Sequence, residues 1–278
     1  MFEVNNIFHE ESLSYGESGK ELGERYDEIK NLQEICDYCR RNQEKLECDM
    51  DRLYDIIVEP EVNFCDWVYW NAGEADHDIQ SIFLYMLQDF TDHGEEKDDS
   101  IDISLGARSE CVHDEAGYRE KRREFLKGLH KVQDFQHFMK SCFINSEFSD
   151  NIGHALNKIP DFELHTSEIV ENLALLNDYG IKIYKKHKGN EKDAMKELAS
   201  KALDCSGDPK HKDKLKFPFS YESEENGKKV TYMAEVVCSP HMKLIRRDSD
   251  LRIYFYWQDD RISNGEKVLI GRIGGHPY

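Results

Sequence analysis

The pattern of apolar and polar positions is most regular between residues 22 and 57. Leu22, Ile29, Cys36, Gln43, Met50 and Ile57 fall at one heptad position, and Leu32, Cys39, Leu46 and Leu53 at the other. Most residues between them are charged or polar, the pattern of a helix lying along a partner helix. The spacing predicts a long helix or a hairpin of two, ending no later than Pro60. The apolar run Asp66 to Trp70 follows as an aromatic anchor, and Ile79 to Phe90 as a short helix. Thr91 to Ile103 reads as a solvated acidic loop, and Ala116 to Met139 as helical again, with a basic start at Arg119-Glu120-Lys121-Arg122-Arg123.

A change of texture places a domain boundary near residue 140. Beyond it the pattern predicts a short strand at 141–145 and helices at 149–159 and 190–203. A further helix, capped by Thr166 or Ser167, runs to Asn177 and stops at Gly180. After a Gly/Pro/Lys loop over 205–216 come five apolar-alternating segments: 217–221, 229–237, 242–245, 251–257 and 267–273. Asn226-Gly227 and Asn264-Gly265 mark hairpins between them. The predicted class is α+β: an acidic, mainly helical domain over 1–140 and a small α+β domain with an antiparallel meander over 141–278. No internal repeat or low-complexity segment interrupts it.

Charge sharpens this division. The chain of 278 residues carries a net charge of −19, and residues 1–100 alone hold 27 Asp and Glu against 8 Lys and Arg. Residues 228–278 hold nine basic and six acidic residues, so the two ends carry opposite fields. Acidic helix faces of this kind also serve solubility alone. No stretch reaches the ~18–20 apolar residues of a membrane span, and the first residues lack the pattern of a signal peptide. The eight cysteines are scattered, which fits reduced thiols and a cytoplasmic protein.

Several candidate motifs resolve into ordinary packing. Cys36-x-x-Cys39 with Cys48 lacks the fourth ligand of a structural zinc site, and both cysteines of the pair sit on the apolar seam. Arg108-x4-His113 has the spacing of the HEPN ribonuclease motif but no helical surroundings, and Asp76-His77-Asp78 reads as a surface turn. Walker, GxGxxG and GxSxG motifs are absent, so the sequence implies no nucleotide cofactor and no metal.

The C-terminal tail is richer in chemistry. It runs from Lys243 through Arg246, Arg247, Arg252, Ile253 and Tyr254, and then from Val268 through Arg272 to His276-Pro277-Tyr278. Arginines grip a phosphate in bidentate fashion, while His and Tyr move protons. An exposed meander of no special function shows the same mixture of residues.

These residues resemble the RelE/YoeB-type toxins of the RelE/ParE/HigB superfamily, small α+β ribonucleases that cut messenger RNA on the ribosome. The resemblance is specific over roughly the last 40 residues. Element order beyond them matches β-α-α-β-β-β with an additional helix and longer connections. It implies that Arg252 holds the scissile phosphate and that His276 or Tyr278 transfers a proton near the leaving oxygen. Arg246, Arg247 and Arg272 would bind phosphate, and Glu235 would be the general base. The chain departs from such toxins in being over twice as long and acidic, and the superfamily includes topoisomerase-directed members.

Three expectations about function follow. The first is a prokaryotic toxin or anti-phage defence effector, acting on RNA or the ribosome, whose acidic half restrains or targets it. The second is a non-catalytic subunit that docks on a protein partner or self-associates through the 22–57 seam. The third is an acidic nucleic-acid mimic displaying Glu44, Glu47, Asp49, Asp51 and Asp55.

Overall fold

The structure, a computed structural model, describes residues 1–70, 77–201, 204–207, 212–225, 228–245 and 250–277. The fold is α+β, and the chain divides into two units, Phe2–Arg122 and Arg123–Tyr278, with Met1 grouped in the second.

The first unit contains β1 (Val4–Phe8), α1 (Tyr15–Ser18), α2 (Tyr26–Arg41), β2 (Leu46–Cys48), α3 (Met50–Asp55), β3 (Ile57–Glu59) and β4 (Val62–Asn63). α4 (Phe64–Tyr69), α5 (His77–Met86), β5 (Phe90–Asp92), β6 (Asp99–Ile103) and the start of α6 (Glu115–Gly128) complete it. Where sequence periodicity implied a mainly helical domain, four strands form a parallel sheet in the order β5-β2-β1-β6. β6 lies within the stretch expected to be a solvated loop. Only Ile101 and Ile103 face its core, and Asp99, Ser100 and Asp102 dilute the apolar signal.

The 22–57 seam is not one rod. Its register runs through α2, β2 and α3 in turn, because the helix ends at Asn42 and Asp49 caps a new one by accepting from the Arg52 amide at 2.9 Å. Leu22, Ile29, Leu32, Cys36, Cys39, Leu46 and Leu53 are all buried within the chain. Of the remaining seam positions, Gln43 and Ile57 are exposed and Met50 is half-buried, so most of the stripe is internal packing. Trp67 of the aromatic anchor is also buried and donates to Glu59 Oε1 at 2.7 Å.

The stretch expected to be helical over 116–139 forms two helices, α6 and α7 (Val132–Cys142), with a break after Gly128. The division of the chain falls inside α6, before rather than at residue 140. Adjacent arginines flank the division. Arg122 is buried and grips Glu44 through both terminal nitrogens at 2.6 and 2.8 Å, whereas Arg123 grips Asp178 at 2.9 and 2.7 Å. Each partner belongs to the unit that its arginine joins.

The second unit continues with β7 (Ser146–Phe148), α8 (Ile152–Leu156), α9 (Thr166–Lys186), α10 (Glu191–Lys201) and β8 (Cys205–Gly207). β9 (Lys216–Glu225), β10 (Lys228–Val237), β11 (Pro240–Lys243), β12 (Arg252–Tyr256) and β13 (Val268–Gly274) follow. All five segments read as strands from alternation coincide with strands, although β11 lies at 240–243 rather than 242–245. The short strand expected at 141–145 begins instead at Ser146. α9 runs through Gly180 rather than stopping there. A Cβ at this position would lie 2.6 Å from Val268 Cγ2, so the glycine permits close helix–sheet approach.

Five strands form a sheet in the order β7-β13-β12-β11-β8, antiparallel except for the β13–β7 pair. β9 and β10 form a separate antiparallel hairpin flanking Asn226-Gly227, which itself lies outside the described residues. Ile253, Phe255 and Val268 alternate toward the helix side of the sheet. Tyr254 and Leu269 face the hairpin, where they bury with Phe217, Phe219, Ala234 and Val236. No helix among the described residues is long and apolar enough to cross a membrane.

Candidate functional site

Pairing register builds a polar row across the hairpin-facing side of the sheet. Ser206 on β8 is opposite His241 on β11, which is opposite Tyr254 on β12, which is opposite Arg272 on β13. Cross-strand partners share a face, so these four side chains line up without any one strand carrying more than one of them. One step along, Lys243 pairs with Arg252 and lies on the same face by the two-residue period.

Hydrogen bonds and a ring contact tie the row together. Ser206 Oγ lies 3.1 Å from His241 Nε2, and His241 Nδ1 lies 3.3 Å from the Ser239 carbonyl oxygen. His241 and Tyr254 are ring neighbours with centroids 5.2 Å apart. Tyr254 is fully buried, and its hydroxyl lies 2.8 Å from Nδ1 of His276, which is exposed. His276 reaches back because the chain reverses just after β13. Gly274 adopts φ +150°, a conformation side-chain-bearing residues rarely take. Arg272 Nε closes the reversal by donating to the Gly275 carbonyl at 2.7 Å.

Charge on this face is positive and partly desolvated. Burial lowers the Arg272 guanidinium from its ordinary value, opposed by the neighbouring Tyr254. An arginine remains cationic through such a shift, so the effect is a strengthened field in a drier setting. Arg252 is half-buried and donates to the Asp250 carbonyl at 2.6 Å, while its Nε is buried with no hydrogen-bond partner. Lys243 pairs with Asp204 at 2.6 Å.

The structure thus brings Arg252, Arg272 and His276 to one sheet face. Glu235 does not join them: it is exposed on β10 between buried Ala234 and Val236, so it points away from the sheet. Arg246, Arg247 and Tyr278 lie outside the described residues. In the sequence Tyr254 stands in the C-terminal tail without an assigned role, and His241 is not singled out. The two-residue step from Arg252 was a signal for Tyr254, but nothing local announced His241, whose place depends on register.

Elsewhere the candidate motifs have structural partners. Cys36 and Cys39 are buried on α2; burial pushes the Cys39 thiol up to about 12, and it donates to Tyr118 Oη at 3.3 Å. Among the described residues no cluster of His, Cys, Asp and Glu has the form of a metal site. Arg108 lies in the loop after β6 and faces Glu11 and Glu17 at 4.0 and 3.8 Å. Three carboxylates of the proposed nucleic-acid mimic are engaged within the chain: Glu44 by Arg122, Glu47 by Asn5 at 2.8 Å, and Asp49 as a cap.

Comparison with protein-family models, with curated proteins and with solved structures found no match.

Proposed function

We propose that the C-terminal unit cleaves or binds a phosphodiester of RNA, as the effector of a prokaryotic toxin or anti-phage defence system working in the cytoplasm. The observation that carries the reading is the Tyr254–His276 hydrogen bond of 2.8 Å beside Arg272 in cross-strand register. The RelE-type resemblance of the tail points the same way.

In this reading Arg252 and Arg272 hold the phosphate and offset charge that grows on its oxygens. The ribose 2′-hydroxyl attacks phosphorus and the 5′-oxygen leaves, giving a cyclic phosphate. His276 transfers the proton. A tyrosine hydroxyl both donates and accepts, so Tyr254 serves either state of the imidazole. When His276 Nδ1 carries hydrogen, it donates to Tyr254 Oη and Nε2 is the base. When both nitrogens are protonated, Nε2 is the acid. Tyr254 is a positioning residue in this scheme, and Glu235 has no role in it. The acidic half as restraint or targeting element is part of the same proposal and rests on the charge split alone.

The test is cleavage of a mixed-sequence RNA by the purified full chain, alongside growth of a bacterial host on induction. His276→Ala and Arg252→Ala should each lower cleavage about a hundredfold or more with the melting temperature unchanged. Equal cleavage by wild type and both variants, or none by any of them, removes the catalytic reading.

A further inference from the structure

A second surface, on the first unit, has no part in the phosphate chemistry. Tyr69 and Trp70 at the end of α4 are 50% and 76% exposed, and Ile57 on β3 is 47% exposed. Tyr54 of α3 adjoins Tyr69: its ring centroid is 6.1 Å from that of Tyr69, with the two hydroxyls 3.4 Å apart, and 6.4 Å from that of Phe64. Two structural elements thus present rigid aromatic side chains to solvent at one place. Apolar surface of this kind marks an interaction site, and Tyr and Trp are the residues that anchor one.

The charges around it identify the occupant. Asp51 lies three residues before Tyr54 on the same face of α3, and Asp55, four residues after Asp51, flanks that face. Asp66 lies one helical turn before Trp70, whose amide donates to the Asp66 carbonyl at 3.0 Å. Glu61 sits at the tip of the β3–β4 turn. All four are exposed, and among the described residues none forms an ion pair. Arg52, the one cation on α3, turns away to Glu10 and Glu11 at 3.5 and 2.6 Å.

We propose that this surface docks a basic amphipathic segment of a partner protein. Lysine or arginine heads would meet the carboxylates and the aromatic faces, and apolar residues would cover Ile57 and Trp70. A polyphosphate chain is repelled by the same carboxylates, and a second copy would bring its own carboxylates against them. The proposal is independent of the RNA reading.

The test uses the full chain and two synthetic probes: an amphipathic lysine–leucine helix and an oligolysine without apolar residues. Trp67 and Trp257 are buried, so Trp70 is the exposed reporter among three tryptophans. The amphipathic peptide should shift its emission and bind more tightly than oligolysine. Trp70→Ala, followed by calorimetry, should weaken binding about tenfold. Asp51→Asn/Asp55→Asn/Asp66→Asn should weaken it similarly and flatten its salt dependence. RNA cleavage should not change in either variant. The proposal is overturned if both peptides bind alike, if neither variant weakens binding, or if light scattering shows self-association that Trp70→Ala abolishes.

Discussion

Gly271→Ala tests whether the hairpin and the site-bearing sheet are packed as closely as the structure indicates. Tyr254 pairs with Arg272 and Phe255 with Ile270, so Gly271 is the extra residue of a bulge in β13. A Cβ there would lie 2.5 Å from Phe217 Cδ2 and 2.7 Å from Cys238 Sγ. Favourable carbon contacts lie at about 3.5–4.0 Å, so the neighbours must retreat by about an ångström. Phe217 and Cys238 are both buried and cannot swing into solvent. Overpacking of this kind costs about 1–3 kcal/mol, while replacing glycine returns about 0.5–1 kcal/mol through the unfolded chain. The net expectation is destabilisation by about 1–2 kcal/mol, or roughly 5–30-fold in the opening equilibrium. Hydrogen exchange by mass spectrometry over 216–237 and 268–274 reads this in the C-terminal unit alone. Phe217→Leu added to Gly271→Ala should interact favourably by about 1 kcal/mol or more, since the two sites touch. Unchanged or slower exchange in Gly271→Ala would refute the packing argument.

Three other outcomes follow from the same physical reasoning. Glu44→Ala should destabilise the first unit by about 3 kcal/mol in urea unfolding, because it strips buried Arg122 of its bidentate carboxylate; a loss under about 1 kcal/mol would show that the pair is dispensable. Burial raises the Cys39 and Cys48 thiols to about 12. Their folded values exceed the unfolded ones, so their stabilisation is complete below about pH 9 and falls as pH rises toward 12. Each adds to the decline in that window as the unfolded chain ionises first, and Cys39→Val should flatten the urea midpoint's decline between those limits. Tyr254→Phe should cost about 0.5–1.5 kcal/mol of stability through the lost hydrogen bond. If Tyr254 also positions His276, the same variant should alter the pH profile of RNA cleavage, an effect absent if its role is packing alone.

What the sequence determined by itself is local and periodic. The strands that became β9 to β13 announced themselves by two-residue alternation and turn residues, which antiparallel neighbours require whatever surrounds them. The burial of Leu22, Ile29, Cys36 and Leu53 was legible for the same reason, since heptad spacing marks a buried face. That one register threads two helices and a strand was not legible, because the breaks at Asn42 and Asp49 preserve the spacing while changing the element. Tertiary structure alone decided the rest. Parallel pairing joins β1 to β6 across some ninety residues, as the Val4–Asp99 pair shows, and leaves no turn signal between them. Gly180 resembles a helix stop until Val268 is set against it. The polar row Ser206–His241–Tyr254–Arg272 exists only through strand register, and a shift by one residue would send Tyr254 to the helix side and dissolve the row.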